Sequence, residues 1–162
     1  MSMWKGCDDP VAARRLFTVA DANAMLPYLT EAMTELRRLY RESKAAHREI
    51  QLCEAVGQGP DGQWIMAVDH ARATARLDHA VERMRALIEE VHSHGCQIKH
   101  LEVGLVDFPA RLFGQDVLLC WKLGEPSVQY YHGPTDGYAG RRRIPSDILR
   151  RASRPRRSAP SH

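Results

Sequence analysis

The chain has 162 residues, a formal net charge of +3, 44% hydrophobic residues and 27% charged residues. That length fits one globular domain, and the apolar content excludes a chain disordered throughout. No uninterrupted apolar run exceeds five residues (117–121 is one), against the roughly 20 a spanning helix needs, so no membrane span is expected.

Residues 1–16 read as a loose leader. The first 20 residues include Asp8, Asp9, Arg14 and Arg15 and no apolar stretch of signal-peptide type. No export is therefore expected. Cys7, Cys53, Cys96 and Cys120 show no C-x-x-C spacing. The expectation is reduced thiols and a cytoplasmic location.

A single α+β domain is predicted over 17–144: a long antiparallel helical hairpin followed by a small antiparallel β-sheet. The first helix spans about 18–57. Thr18 is placed to cap it, with Asp21 three residues on as a short capping box. Ala22, Leu26, Leu29, Met33, Leu36 and Tyr40 follow the 4-3-4-3-4 spacing of one buried stripe. Pro27 lies inside that pattern, so a kink or a break is expected there. The glycine-rich segment 57–62 ends the helix.

The second helix spans about 68–94, with Ala73, Leu77, Ala80, Met84, Leu87 and Val91 at helical spacing. Gly95 is placed as a left-handed cap. Helices of this length exceed the span of a small domain. The stripe at Leu29, Met33, Leu36, Leu77, Met84 and Leu87 then predicts a homodimer packed through its helices.

After Gly95 the period changes to two, and strands are expected over about 96–132. Residues 116–123 and 128–132 form a hairpin around the turn 124–127. Pairing Leu123 with Val128 would put Trp121 opposite Tyr130 and Leu119 opposite His132. From residue 145 the chain reads as a disordered Arg-rich tail. Residues 141–162 carry eight Arg and one Asp, whereas 1–140 hold 15 Lys+Arg against 19 Asp+Glu. No nucleic-acid motif accompanies those arginines, so no nucleic-acid partner is expected.

Three motifs carry a family resemblance. The first is Leu16-Phe17-Thr18 with Ala24-Met25-Leu26-Pro27. The second runs Gly104-Leu105-Val106-Asp107-Phe108-Pro109-Ala110-Arg111. The third joins Cys120-Trp121-Lys122-Leu123-Gly124-Glu125, Tyr131-His132 and Gly137-Tyr138-Ala139-Gly140-Arg141. Over about 16–144 the chain resembles the bacterial uncharacterised family called domain of unknown function 2203. That resemblance implies a small cytoplasmic bacterial protein with a helical hairpin and a compact β-rich part, and no assigned reaction. His100 stands where the family pattern often has an acidic residue after the strand lysine.

Asp107, Glu125, His132, Asp136 and Arg141 form the densest polar cluster, on turns and strand ends. Two carboxylates and an imidazole make a set for a divalent metal ion or for acid–base catalysis. Asp107, Glu125 and His132 are therefore the candidate metal-binding and catalytic residues. Ordinary turn chemistry explains the same residues without a site. Arg141 is the candidate receiver of an anionic small molecule, with Trp121, Tyr130 and Tyr131 as pocket walls.

His92, His94, Cys96 and His100 are a weaker ligand set of no standard zinc spacing. Cys120 reads either as a nucleophile near His132 or His100, or as a buried structural thiol. The expected activity is that of a metal-dependent or acid–base enzyme, or a ligand-binding protein. Its site would lie at the β-hairpin/helix junction. The alternative is a non-catalytic dimeric helical adaptor.

Overall fold

The structure, a computed structural model, describes residues 15–154. The leader over 1–14, Cys7 and the end of the tail over 155–162 lie outside the described residues. The architecture is α+β: two long helices packed on each other, then a five-stranded antiparallel sheet.

Helix α1 spans Val19–Val56. The Thr18 hydroxyl accepts from the Asp21 amide at 3.1 Å, and the Asp21 carboxylate accepts from the Thr18 amide at 3.1 Å. Two amides that the helix cannot satisfy are thereby paired. The helix runs through Pro27 without a break. Pro27 faces outward while Leu26 and Leu29 on either side are buried. Their packing outweighs the one backbone bond that proline forfeits.

Gly57, with φ of 95°, ends α1, and α2 follows over Ala67–Ser93. Gly95 adopts φ of 90° after it, the left-handed conformation expected there. Leu29, Met33 and Leu36 are fully buried within this one chain, in a core shared with Leu87, Val91 and one face of the sheet. Leu77 and Met84 of the stripe expected to pack a second copy are only half-buried, so packing within the chain covers part of that stripe. The distal part of the hairpin is thinner: beyond Tyr40, α1 buries only Ala46 and Cys53.

The strands follow in chain order and pair in that order: β1 Gln97–His100, β2 Leu105–Leu112, β3 Gln115–Lys122, β4 Tyr130–His132 and β5 Arg142–Arg143. Strands β2 and β3 make a tight hairpin, with Phe113 at φ 54° and Gly114 at φ 72° in the turn. Two consecutive positive φ values suit the right-handed twist of the flanking strands. Pro109 lies in β2 opposite Leu118, beyond the three-residue reach of β1. There the Phe17 amide donates to the Pro109 carbonyl at 2.7 Å, so no strand asks Pro109 for a donor.

The register of β3 with β4 differs by one residue from the expected one. Cys120 faces Tyr130, Leu119 faces Tyr131 and Leu118 faces His132. The cause is Val128, which is buried outside the strands and whose amide donates to Asn23 Oδ1 at 2.8 Å. With Val128 drawn to α1, the connection is longer than the four-residue turn expected.

The tail does not begin at residue 145. Ile144 is fully buried, and helix α3 occupies Ser146–Ala152. Ile148, Leu149 and Ala152 are half-buried against the core. Half-covering Ile148 and Leu149 contributes about 1 kcal/mol each. Deleting residues 145–162 is expected to lower Tm in a thermal melt by roughly 4–8 °C. An unchanged Tm would contradict the docking of α3.

Candidate metal centre

Side chains alternate across a strand, so the sheet has two chemically different faces. Val106, Phe108, Ala110, Val117, Leu119 and Trp121 point into the core with the helices. Asp107 of β2, Cys120 of β3 and His132 of β4 point the other way. Asp107 and Cys120 are directly paired across the strands, and His132 stands beside them, opposite Leu118.

These three residues are buried, and their ligand-type atoms all lie within 4.8 Å of one another. Among the described residues this is the one such group. His132 Nε2 lies 3.0 Å from Asp107 Oδ2, and His132 Nδ1 lies 2.8 Å from the Gly133 carbonyl oxygen. A carbonyl only accepts, so Nδ1 carries a proton and Nε2 is the nitrogen turned toward Asp107 and Cys120. Asp107 Oδ1 is buried and has no partner at hydrogen-bond geometry among the described residues.

Burial holds the Asp107 carboxyl above the usual carboxylate range, against the opposing charge of His132. Burial, then the adjacent Asp107 charge, pushes the Cys120 thiol up to about 12. Cys120 is therefore a protonated thiol at neutral pH, which argues against a free thiolate nucleophile. A cavity of about 230 Å³ opens onto the group, with Lys99, Thr135 and Tyr138 among its lining residues.

The other expected site residues lie elsewhere. Glu125 does not join Asp107 and His132. Its Oε2 accepts from the Lys122 amide at 2.8 Å and from Arg141 Nη2 at 2.7 Å, which closes the β3–β4 connection. Arg141 also donates to the Cys120 carbonyl at 3.3 Å and lies over the Tyr130 ring at 4.1 Å. Its guanidinium also acts on the Cys120 thiol by charge and hydrogen bonding, opposing the upward push of burial, so Arg141 stands beside the candidate group although it does not line the cavity. Trp121 is in the core and donates to the Glu125 carbonyl at 2.9 Å. Tyr131 packs near Phe113, at 6.3 Å between ring centres. Trp121, Tyr130 and Tyr131 thus do not line this cavity, which lies on the sheet face turned away from the helices. A wider cleft of about 570 Å³ does lie at the β-hairpin/helix junction, between Pro27 and Thr30 of α1 and Glu125 and Ser127 of the turn.

Asp136 accepts from the Gly133 amide at 3.0 Å and fixes the loop that roofs the cavity. His92 and His94 do not assemble with Cys96. His92 Nε2 accepts from the Ile98 amide at 3.4 Å, and His94 packs on Tyr28. Sequence reasoning missed Cys120 as a ligand partner of Asp107, and it missed Lys99, Thr135 and Tyr138 as cavity residues. The β2–β3 register is the signal that finds Cys120.

The family model described as "Uncharacterized conserved protein (DUF2203)" matches residues 15–144. The chain belongs to that family. No curated protein and no solved structure matches this DUF2203 chain. Among its described residues, no helix is long and apolar enough to cross a membrane.

His132→Ala leaves the buried Asp107 carboxyl without its imidazole partner, an expected loss of roughly 1–3 kcal/mol in urea unfolding at pH 7. Burial has already raised the folded-state pKa of Asp107. A raised carboxyl pKa withdraws stability as pH climbs above the unfolded value near 4. The deficit is therefore expected to be smaller at pH 4 than at pH 7. Equal stability of variant and parent at pH 7 would contradict the pair.

Proposed function

We propose that this DUF2203 protein is a metal-dependent enzyme in which Asp107, Cys120 and His132 hold one zinc-type divalent ion. The carrying observation is the convergence of a carboxylate, a thiol and an imidazole within 4.8 Å on one buried sheet face. Oxygen, sulfur and nitrogen donors of this kind suit zinc. The partner of the other His132 nitrogen fits as well. The Gly133 carbonyl fixes the His132 tautomer and leaves Nε2 as the ligand, the usual arrangement for a metal-bound histidine.

Charge supports the same reading. An ionised Asp107, an ionised Cys120 and a neutral His132 carry −2 together, which a divalent ion cancels. A buried site strongly favours that neutral sum. Three protein ligands leave a fourth position, and the 230 Å³ cavity lies where it would open. An open position on such an ion polarises a bound water or carbonyl, so hydrolysis is the reaction class this site suits.

A cytoplasmic, bacterial setting belongs to this reading. The free, buried thiols of Cys53, Cys96 and Cys120 support a reducing compartment. The second reading, a helical adaptor or homodimer, is favoured by one observation. At the hairpin tip Leu52, Val56, Ile65 and Val68 are exposed by half or more. An adaptor needs no metal, so metal uptake separates the two.

Isothermal titration of the metal-free full chain with zinc is expected to show one ion per chain. Cys120→Ser and His132→Gln should each weaken that binding by more than roughly 100-fold. The thiol proton and the proton shared by Asp107 and His132 must leave, so affinity falls as pH falls. No uptake by the parent, or equal uptake by both variants, would contradict the proposal.

A further inference from the structure

Lys99 of β1 lines the cavity beside Asp107. Among the described residues its ammonium makes no close ion pair or hydrogen bond, and its charge acts at longer range on Asp107 and His92. The other charged lining residues are Asp107 and His132, which compensate each other when Asp107 is ionised and His132 protonated. Arg141 is neutralised by Glu125 at 2.7 Å. Asp136 is turned into its own loop and does not line the cavity.

The lining is thus net positive by one charge in either state. Without metal, the Asp107–His132 pair sums to zero and Cys120 is a neutral thiol. With a divalent ion, the ion and its three ligands also sum to zero. In both cases Lys99 is left over. Thr135 and Tyr138, both exposed and both carrying hydroxyl groups, line the same space with Leu105, Leu118 and Pro134.

We propose that this cavity binds a small oxyanion, a carboxylate or phosphate group held by Lys99 beside the metal position. Its attraction to the anion rests on Lys99 alone; placing the anion next to an ion rests on the metal reading above. A volume of about 230 Å³ holds roughly seven or eight water-sized groups, which limits the occupant to a small metabolite-sized molecule or one end of a larger one. Lys99 is exposed at the rim of this cleft, so its pull on such a group is screened by salt as on open surface and is expected to weaken as ionic strength rises.

The test is amide-shift NMR on the full chain, metal-free and zinc-loaded, titrated separately with acetate, inorganic phosphate and uncharged acetamide. Acetate or phosphate, or both, should move the amides of Lys99, Thr135 and Tyr138 in both forms, and acetamide should not. Whichever oxyanion acts names the group. Lys99→Gln should weaken that binding by roughly tenfold or more while zinc still binds. The inference is overturned if neither anion moves those amides in the metal-free parent, if acetamide acts equally, or if Lys99→Gln binds as the parent does. Failure of zinc uptake in the parent strikes the metal reading alone, since the metal-free titration reads the anion site without it.

Discussion

A carboxylate with only 2% of its surface exposed sits on the outer face of the sheet, and its neighbours answer to it. Removing a charge from water costs several kcal/mol unless a partner compensates. His132, at 3.0 Å, supplies that partner to one oxygen. The other oxygen has no partner at hydrogen-bond geometry among the described residues, although the Cys120 thiol is close enough to act on the carboxyl as a donor. Native structures seldom leave a buried acceptor so, and an ion or a water is the usual reason. With the Cys120 sulfur and the His132 nitrogen nearby, a soft divalent cation fits the chemistry better than water.

The rest of the fold places this group. Alternation in β2 and β3 sends Phe108, Leu119 and Trp121 into the helices and the intervening Asp107 and Cys120 to the other side. The loop over the site is built tightly around Asp136. A Cβ at Gly133 or Gly140 would come within 2.5 Å of Asp136 side-chain atoms, so both positions require glycine for the wrap. Arg141 then ties the end of that loop to Glu125, to the Cys120 carbonyl and to the rings of Tyr130 and Tyr138. Rigid walls of this kind are what hold ligands at fixed angles.

Much of the helical part was legible in the sequence because its signals are local. The 4-3-4 stripe, Thr18 with Asp21, and Gly95 each specify their structure within a few residues. Pro27 misled, since a proline's local cost says nothing about the packing of Leu26 and Leu29. The apolar stripe showed that a partner surface was needed, but not that the same chain covers Leu29, Met33 and Leu36 while leaving Leu77 and Met84 half-buried. The sheet was harder. Pro109 and the turn at Phe113-Gly114 hide β2, because neither looks like a central strand or a usual hairpin turn.

The site suffered most from the register. A one-residue slip between β3 and β4 exchanges the two faces. The expected pairing put Leu119 opposite His132, whereas the observed pairing puts Leu118 there and Cys120 on the same face. The determinant is the bond from the Val128 amide to Asn23, 105 residues away in sequence, which no local pattern announces. Asp107, Glu125 and His132 stood out alike as polar residues on turns and strand ends, and nothing local separates Glu125 from the two that converge.

Crystals of the full chain grown with zinc, with data collected on both sides of the zinc absorption edge, test the central claim most directly. One strong anomalous peak is expected about 2.0–2.3 Å from Asp107, from Cys120 Sγ and from His132 Nε2. A zinc-saturated crystal with no peak there, and with Asp107 still paired only to His132, would contradict it.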